Sequence, residues 1–357
     1  MKVLEVIPTL GQGGAEHFVA ELSIELKRMG IECDVVTLFD VEKTNDLLVQ
    51  IQNEDIKTYS LHKKDGFDLS VFYSLVKLIK KGHYNVVHAH VGAIKYVLLA
   101  AFVLPGVKFF ATLHSEASRE AGKSLDLWSR KLMFKTRRCT PVTISEESQK
   151  SFEDFYGYKA EMVLNGVSDY VQNTEISIRD NKDQIVFVHP ASCQPVKNQF
   201  LLLKAFALLI DKYPNSKLIW IGSLNSYPKL YEDLKKIMVP QVVYMGVVSN
   251  VRDYLSQADA MCLSSQMEGL PMTVIESFSV GCIPICTPVG GCKNIIIDKK
   301  NGLLSKDLSV NSYYNALEYY CKLSDADKRN MRNSSKESFS NYTISKCASQ
   351  YLELFND

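Results

Sequence analysis

The sequence predicts an α/β protein of two domains, each built on a parallel β-sheet. Its 357 residues exceed what one hydrophobic core comfortably serves. Short β-rich runs alternate with amphipathic helical stretches along most of the chain. The strand runs are almost continuously apolar, as strands are when helices cover both faces of a sheet.

The elements follow in order. KVLEVIPTL is a first strand, and AEHFVAELSIELKRMG a helix with Phe18, Leu22 and Leu26 on one stripe, closed by Gly30. CDVVTLF is a strand, LSVFYSLVKLIKKG a helix and NVVHAHV a strand. The apolar run from Ile94 is a helix, KFFATLH and CTPVTIS are strands, and SEESQKSFEDFYG is a helix. After KAEMVLNGV the pattern lapses into VSDYVQNTEISIRDNKDQ, polar and without period, which is the linker. A second series then runs from QIVFVHPAS through NQFLLLKAFALLIDKYP, SKLIWIGS, PKLYEDLKKIM, VVYMGVV, VRDYLSQA and DAMCLSS to CIPICTP. In such sheets ligands bind beyond the carboxyl ends of the strands, and two facing domains make the cleft between them the expected site.

Composition removes several function classes. The chain is 46% hydrophobic and 23% charged with net charge +1, so no global field points to nucleic acid. Nine cysteines leave an odd one over, and Glu5 interrupts the apolar N-terminus, which therefore reads as a strand rather than a signal peptide. A cytoplasmic protein with reduced thiols is expected. Cys282, Cys286 and Cys292 lack paired CxxC spacing or a histidine partner, so they are expected as buried apolar side chains and no metal site is assigned. Lys95, Pro105, Gly106 and Lys108 interrupt the longest apolar stretch, which is too broken to span a membrane.

Two motifs carry chemistry. GQGGAE (residues 11–16) lies between the first strand and its helix, where glycines admit a ligand and free N–H groups suit an anion. Glu16 stands where a dinucleotide fingerprint would need its third glycine, although Asp40 supplies the acid that ends the second strand. A tight turn with no ligand is the plain alternative. The second motif is EGLPMTVIESFSVGCIPICTPVGG, from Glu268. Pro271 suits the first helical position and Gly281 the end. Glu268 then lies just outside the helix start, and Glu276 on the flank of the apolar face beside Met272 and Val280. A carboxylate there suits a ribose diol, and the N–H groups of Gly269, Leu270, Pro271, Met272 and Thr273 (proline excepted) suit sugar hydroxyls or phosphate oxygens. Acids that merely stabilise a helix dipole are the alternative.

This segment resembles the E-x7-E motif of the retaining glycosyltransferases of family 4, which have the GT-B fold. The likeness spans nearly the whole chain: GGAE after strand one, TLH at Thr112–His114, LNGV at Leu164–Val167, then VKNQ, IGS, MG and NGLL in order. It implies two Rossmann-like domains facing across a cleft, an acceptor domain over 1–168 and a donor domain over 169–341, with helix 342–357 packing back on the first. It further implies that Glu276 binds the ribose, that Glu268 faces the donor sugar with the backbone of 269–273, and that Lys197 binds the diphosphate. Gly246 and Val247 would meet the base. Gly13 and Gly14 would approach the diphosphate or the acceptor, and His114 would lie at the reaction centre. His88 and His90 are expected to be structural or to line the cleft.

One departure stands out. Ser192 occupies the donor-site position where the family usually carries an arginine, which removes a bidentate phosphate contact. Asn294 stands where the family often has glutamate. The implied reaction transfers a hexose or N-acetylhexosamine, with retained anomeric configuration and no metal, from a nucleoside-diphosphate sugar, expected to be a UDP-sugar. The acceptor would be a carbohydrate or lipid-linked carbohydrate in bacterial surface polysaccharide or glycolipid synthesis. The basic amphipathic run Trp128–Arg138 suits either an anionic membrane, at the inner face of the cytoplasmic membrane, or plain solvent. A nucleotide-sugar epimerase and a non-catalytic GT-B partner subunit are the alternatives; Ser192 speaks for the second.

Overall fold

Strand alternation at the N-terminus sets up the first sheet. In a computed structural model, which describes residues 1–11, 13–121, 125–172, 176–224 and 227–357, β1 (Lys2–Ile7) sends Leu4 and Val6 to one buried face and Val3, Glu5 and Ile7 to the other. It pairs in parallel with β2 (Glu32–Thr37) and β4 (Val86–His90), which flank it. β3 (Thr58–Ser60), β5 (Lys108–Leu113), β6 (Thr140–Thr143) and β7 (Glu161–Met162) complete seven strands in the order β3-β2-β1-β4-β5-β6-β7. The helix Ser70–Gly82 covers the Leu4 face, and the helices Gly14–Arg28 and Ile344–Asn356 cover the Glu5 face.

The second sheet has six strands, all parallel among the described residues. They are β8 (Ile185–Pro190), β9 (Ser216–Ile221), β10 (Val242–Gly246), β11 (Ala260–Leu263), β12 (Ile283–Cys286) and β13 (Leu303–Leu304). Their order is β10-β9-β8-β11-β12-β13. Phe187, Trp220, Cys262 and Ile285 pack beneath the helices Gln199–Lys212 and Val310–Lys322. The chain thus forms two compact units, Met1–Ser168 with Thr343–Asp357, and Asp169–Tyr342.

The helix Ile344–Asn356 belongs to the first unit because its stripe of Ile344, Cys347, Ala348, Tyr351 and Phe355 is buried there. Thr343 caps it by accepting from the Lys346 N–H at 3.3 Å, and Lys108 Nζ donates to the Phe355 carbonyl at 3.0 Å. The Ile344 N–H donates to the Val167 carbonyl at 2.9 Å, so the chain re-enters beside its point of exit.

Three local outcomes differ from the sequence reading. The helix Asp46–Asn53 and the edge strand β3 fill a stretch without strand or helix assignment, since β3 is short and only half-buried. The run from Ile94 is a 3-10 segment, Val91–Val97, followed by the helix Leu98–Val103; it starts at Val91, whose φ of +44 is not helical. Residues 173–175 of the expected linker lie outside the described residues. All nine cysteines are free thiols, and Cys282, Cys286 and Cys292 are buried as expected. No helix of the described residues is long and apolar enough to cross a membrane.

Trp128 lies in the first unit and Trp220 in the second, so a Trp220→Phe background reports on the first unit alone. In that background Tyr351→Ala, which empties a fully buried aromatic site, should lower the urea-unfolding free energy by about 3–5 kcal/mol.

Candidate functional site

In each sheet the strand order reverses direction once, between β1 and β4 and between β8 and β11, and open α/β sheets hold ligands at such points. In the second unit this brings together the loops that carry Ser192 and Lys197, after β8, and Glu268, after β11. Lys197 Nζ lies 2.7 Å from Glu268 Oε1, with both side chains largely buried. Ser265 Oγ donates to the same carboxylate at 2.5 Å, and Ser264 Oγ donates to the Lys197 carbonyl at 2.9 Å. A Gln266 N–H bond to the Val196 carbonyl (2.8 Å) ties the two loops at the backbone. The pair is therefore held from three sides.

The helix that follows runs Met272–Ser279, with Pro271 as its N-cap, one residue earlier than a first helical position. It ends at Gly281, whose φ of +69 requires the left-handed region. Glu276, Met272 and Thr273 are half-buried, Leu270 and Pro271 buried. The Gly291 N–H donates to the Gly269 carbonyl at 3.0 Å, and at Gly290 a side chain would fall on the Glu268 carbonyl. The two glycines thus let the Thr287–Gly291 loop brace the Glu268 turn.

The remaining residues of this set lie along the same edge. Gly246 closes β10 with φ +75, and its carbonyl accepts from the Gly222 N–H at 2.8 Å. Gly222 in turn lies against the backbone of Ala191 and Ser192. Val247 is exposed. Ser192 Oγ accepts from Gln194 Nε2 at 3.1 Å, and the Ser192 carbonyl accepts from Gln199 Nε2 at 2.9 Å.

In the first unit the turn after β1 carries Gly13 and Gly14 at the start of the helix Gly14–Arg28. Glu16 folds back over Gly13, so a carboxylate occupies the place where a bound anion would sit; burial raises its pKa. Phe18, from the same helix, packs edge-on to His114 with ring centroids 5.5 Å apart. His114 follows β5 and is half-buried.

Beneath it runs a buried polar network on the Glu5 face of the sheet. Strand register places Glu5 opposite His88, and His90 opposite Thr112. Glu5 Oε2 lies 2.7 Å from His90 Nε2 and 3.0 Å from His88 Nδ1. His88 Nε2 meets Thr112 Oγ1 at 2.7 Å, Thr112 meets the Tyr351 hydroxyl at 2.8 Å, and His90 Nδ1 meets His114 Nε2 at 3.0 Å. Glu5, His88, His90, Thr112 and Tyr351 are all fully buried. Burial alone would raise the Glu5 carboxyl, but the two histidines overcome it and bring its pKa down to about 2. Burial lowers His90 to about 4, with His88 acting in the same direction, and holds His114 well below the usual imidazole range.

Glu5, His88 and His90 place ligand-type atoms within 4.8 Å of one another and could hold a metal ion. Each ring already spends both nitrogens on hydrogen bonds, so the arrangement shown is a hydrogen-bonded one. Sequence reasoning singled out His114 and gave His88 and His90 a structural or cleft-lining place, but missed Glu5 as their partner. The available signal was a lone acid inside a strand buried on both faces.

The basic run also resolves. Arg130 is fully buried, donating from Nε to Asp126 at 2.9 Å and from a terminal nitrogen to the Val91 carbonyl at 3.0 Å. It therefore drops out of the expected basic face. Trp128, Lys131, Lys135, Arg137 and Arg138 remain exposed.

The family model "Glycosyltransferase Family 4" matches residues 12–169, and "Glycosyl transferases group 1" matches residues 172–338. A Campylobacter jejuni protein is 25% identical over 85% of this chain and 84% of its own. It is the GalNAc-alpha-(1->4)-GalNAc-alpha-(1->3)-diNAcBac-PP-undecaprenol alpha-1,4-N-acetyl-D-galactosaminyltransferase. Among solved structures, a glycosyltransferase from Rickettsia africae superposes with TM-score 0.82 at 16% identity, covering 99% of this chain and 97% of that one. HepE from Anabaena, in complex with UDP and glucose, gives 0.79 at 16% identity over 100% of this chain and 99% of that one. At these identities the structural likeness is one of fold.

The buried histidine and carboxylate fix a pH response. Because the folded state holds His90 near 4, against 6.5 ordinarily, the unfolded chain binds more protons between those values. The stability from neutral His90 is therefore full above pH 6.5 and is lost as pH falls towards 4. Glu5, present in full above its ordinary 4.5, extends the loss towards pH 2. His114, held low by the same burial, adds in the same window, so urea unfolding of the first unit should weaken by roughly 1.4 kcal/mol per pH unit for each of the two histidines, and His90→Gln should remove its own share of that slope.

Proposed function

Since the chain belongs to the GT-B glycosyltransferases described by these two family models, we propose that it is a retaining, metal-independent enzyme moving a sugar from a nucleoside diphosphate to an acceptor hydroxyl. The observation that carries this reading is the Lys197–Glu268 pair at the carboxyl ends of β8 and β11. An ammonium has three donors, and the contact with Glu268 uses one, so Lys197 has capacity for the oxygens of a leaving diphosphate. The second unit binds the donor: Glu276 takes the ribose hydroxyls, Gly246 and Val247 meet the base, and Glu268 with the backbone of Gly269–Thr273 holds the sugar. Ser192 brings no guanidinium, which makes Lys197 the principal phosphate ligand of the β8 loop.

The first unit serves the acceptor and the sugar. The Glu16 carboxylate over Gly13 disfavours a phosphate at that helix start, so the Gly13–Gly14 turn is assigned to acceptor hydroxyls, which can donate to it. His114, neutral at pH 7, contacts a sugar hydroxyl. The UDP bound by HepE supports a UDP-sugar donor, and the undecaprenol-linked name of the Campylobacter relative supports a lipid-linked acceptor in surface polysaccharide or glycolipid synthesis. A cytoplasmic, membrane-peripheral place fits that acceptor. Trp128, Lys131 and Lys135 lie on one exposed side of the helix Leu125–Lys135, an aromatic among cations, as an anionic interface favours.

In a thermal-shift panel of UDP-, GDP- and ADP-sugars, UDP-sugars should stabilise the wild type, EDTA should leave the shift unchanged, and Glu276→Ala should abolish it. With the donor so identified, proton NMR of the product should show the donor's anomeric configuration. Absence of any shift from a folded protein would favour the non-catalytic partner subunit.

Anionic liposomes should sediment the protein at low salt, and Lys131→Glu with Lys135→Glu should release it. Neutral liposomes serve as the control, and equal binding to both would remove the membrane assignment.

A further inference from the structure

We propose that Glu5 and His90 are positioning residues that hold His114 in the tautomer protonated on Nε2, so that its Nδ1 offers a lone pair to a hydroxyl of the bound sugar. The proposal rests on the reading of His114 as a sugar contact; the relay itself rests on the geometry beneath it.

A carboxylate can only accept. Glu5 Oε2, 2.7 Å from His90 Nε2 and shielded from water, therefore takes a proton from that nitrogen. A neutral imidazole carries one N–H, so His90 Nδ1 is left with a lone pair. His114 Nε2 lies 3.0 Å from that lone pair and must itself be the donor. His114 in turn has its lone pair on Nδ1. The order cannot be reversed by rotating His90, because that would set a ring C–H against the Glu5 carboxylate. Phe18, edge-on to both His90 (6.2 Å) and His114 (5.5 Å), holds the two rings in place. Nor does His88 upset the order, since its Nδ1 faces the same carboxylate and donates to it whether the ring is neutral or charged.

The consequence is selective. A lone pair attracts a hydroxyl and repels phosphate or carbonyl oxygens, which are themselves acceptors. The relay thus assigns to His114 a hydroxyl-bearing ligand and excludes the diphosphate from that position.

The test is long-range proton–nitrogen NMR on histidine-labelled protein, with His114→Asn to assign the resonance. The wild type should show His114 protonated on Nε2 only, and neutral at pH 7. A His114 protonated on Nδ1, or on both nitrogens, would overturn the relay, and this needs no buried variant to fold. In Glu5→Gln the His114 signal should become a tautomer mixture. The kcat for sugar transfer should fall roughly ten- to a hundredfold, with KM for acceptor little changed, as when an oriented hydrogen bond is lost. Unchanged kcat in a folded Glu5→Gln protein would overturn the positioning role. If the tautomer is as stated but His114→Asn transfers sugar normally, the sugar-contact reading fails while the relay stands.

Discussion

A carboxylate sits in the middle of a sheet covered on both faces, and the first unit is arranged around the need to satisfy it. Taking an ion out of water costs several kcal/mol unless hydrogen bonds and opposite charge replace the lost solvent. Glu5 meets that cost with two histidines from the neighbouring strand. Those rings engage Thr112 on β5, Tyr351 on the helix Ile344–Asn356 and His114 beyond the strand end. One unfavourable burial thus fixes the side-chain order across three strands and the helix that covers them.

The second unit meets the same physical problem at its surface rather than in its core. Lys197 and Glu268 are partly shielded, and the pairing holds both side chains in a fixed orientation. Two serines and a backbone bond between the loops supply the rigidity. Gly290 and Gly291 admit the close approach of a second loop, which gives the Glu268 turn a backing that side chains would prevent. Charge placed in advance, and held there, is what the proposed transfer from a diphosphate would demand of a protein.

Much of this was legible in the sequence where the signal is local. Apolar runs between glycines and prolines marked β1, β2, β4, β5, β8 and β9, and the turn residues around Glu268 located a short helix to within a residue. Segments of two or three residues, such as β3, β7 and β13, carry too little pattern to stand out. Partnerships across the sheet were not legible. Glu5 and His88 are neighbours only because β4 lies beside β1, with two intervening strands placed elsewhere, and the distance between positions 5 and 88 says nothing of it. Arg130 shows the limit of charge patterning: an arginine within a basic run reads as surface, yet Asp126, four residues earlier, and the Val91 carbonyl take it inside.

The helix Ile344–Asn356 has a meaning for synthesis as well as for packing. It completes the core of the first unit, yet the ribosome makes it only after the whole of the second. Thr112 and Tyr351, in contact across the network, are separated by 239 positions. Through the intervening elongation the Glu5 face of the first sheet has the helix Gly14–Arg28 but lacks the second part of its cover, which leaves apolar surface beside the carboxylate and two imidazoles. The second unit, continuous in sequence, can close meanwhile, so the domain begun first is the one finished last. During that interval the nascent first unit carries exposed apolar surface of the kind that makes incomplete domains prone to aggregate.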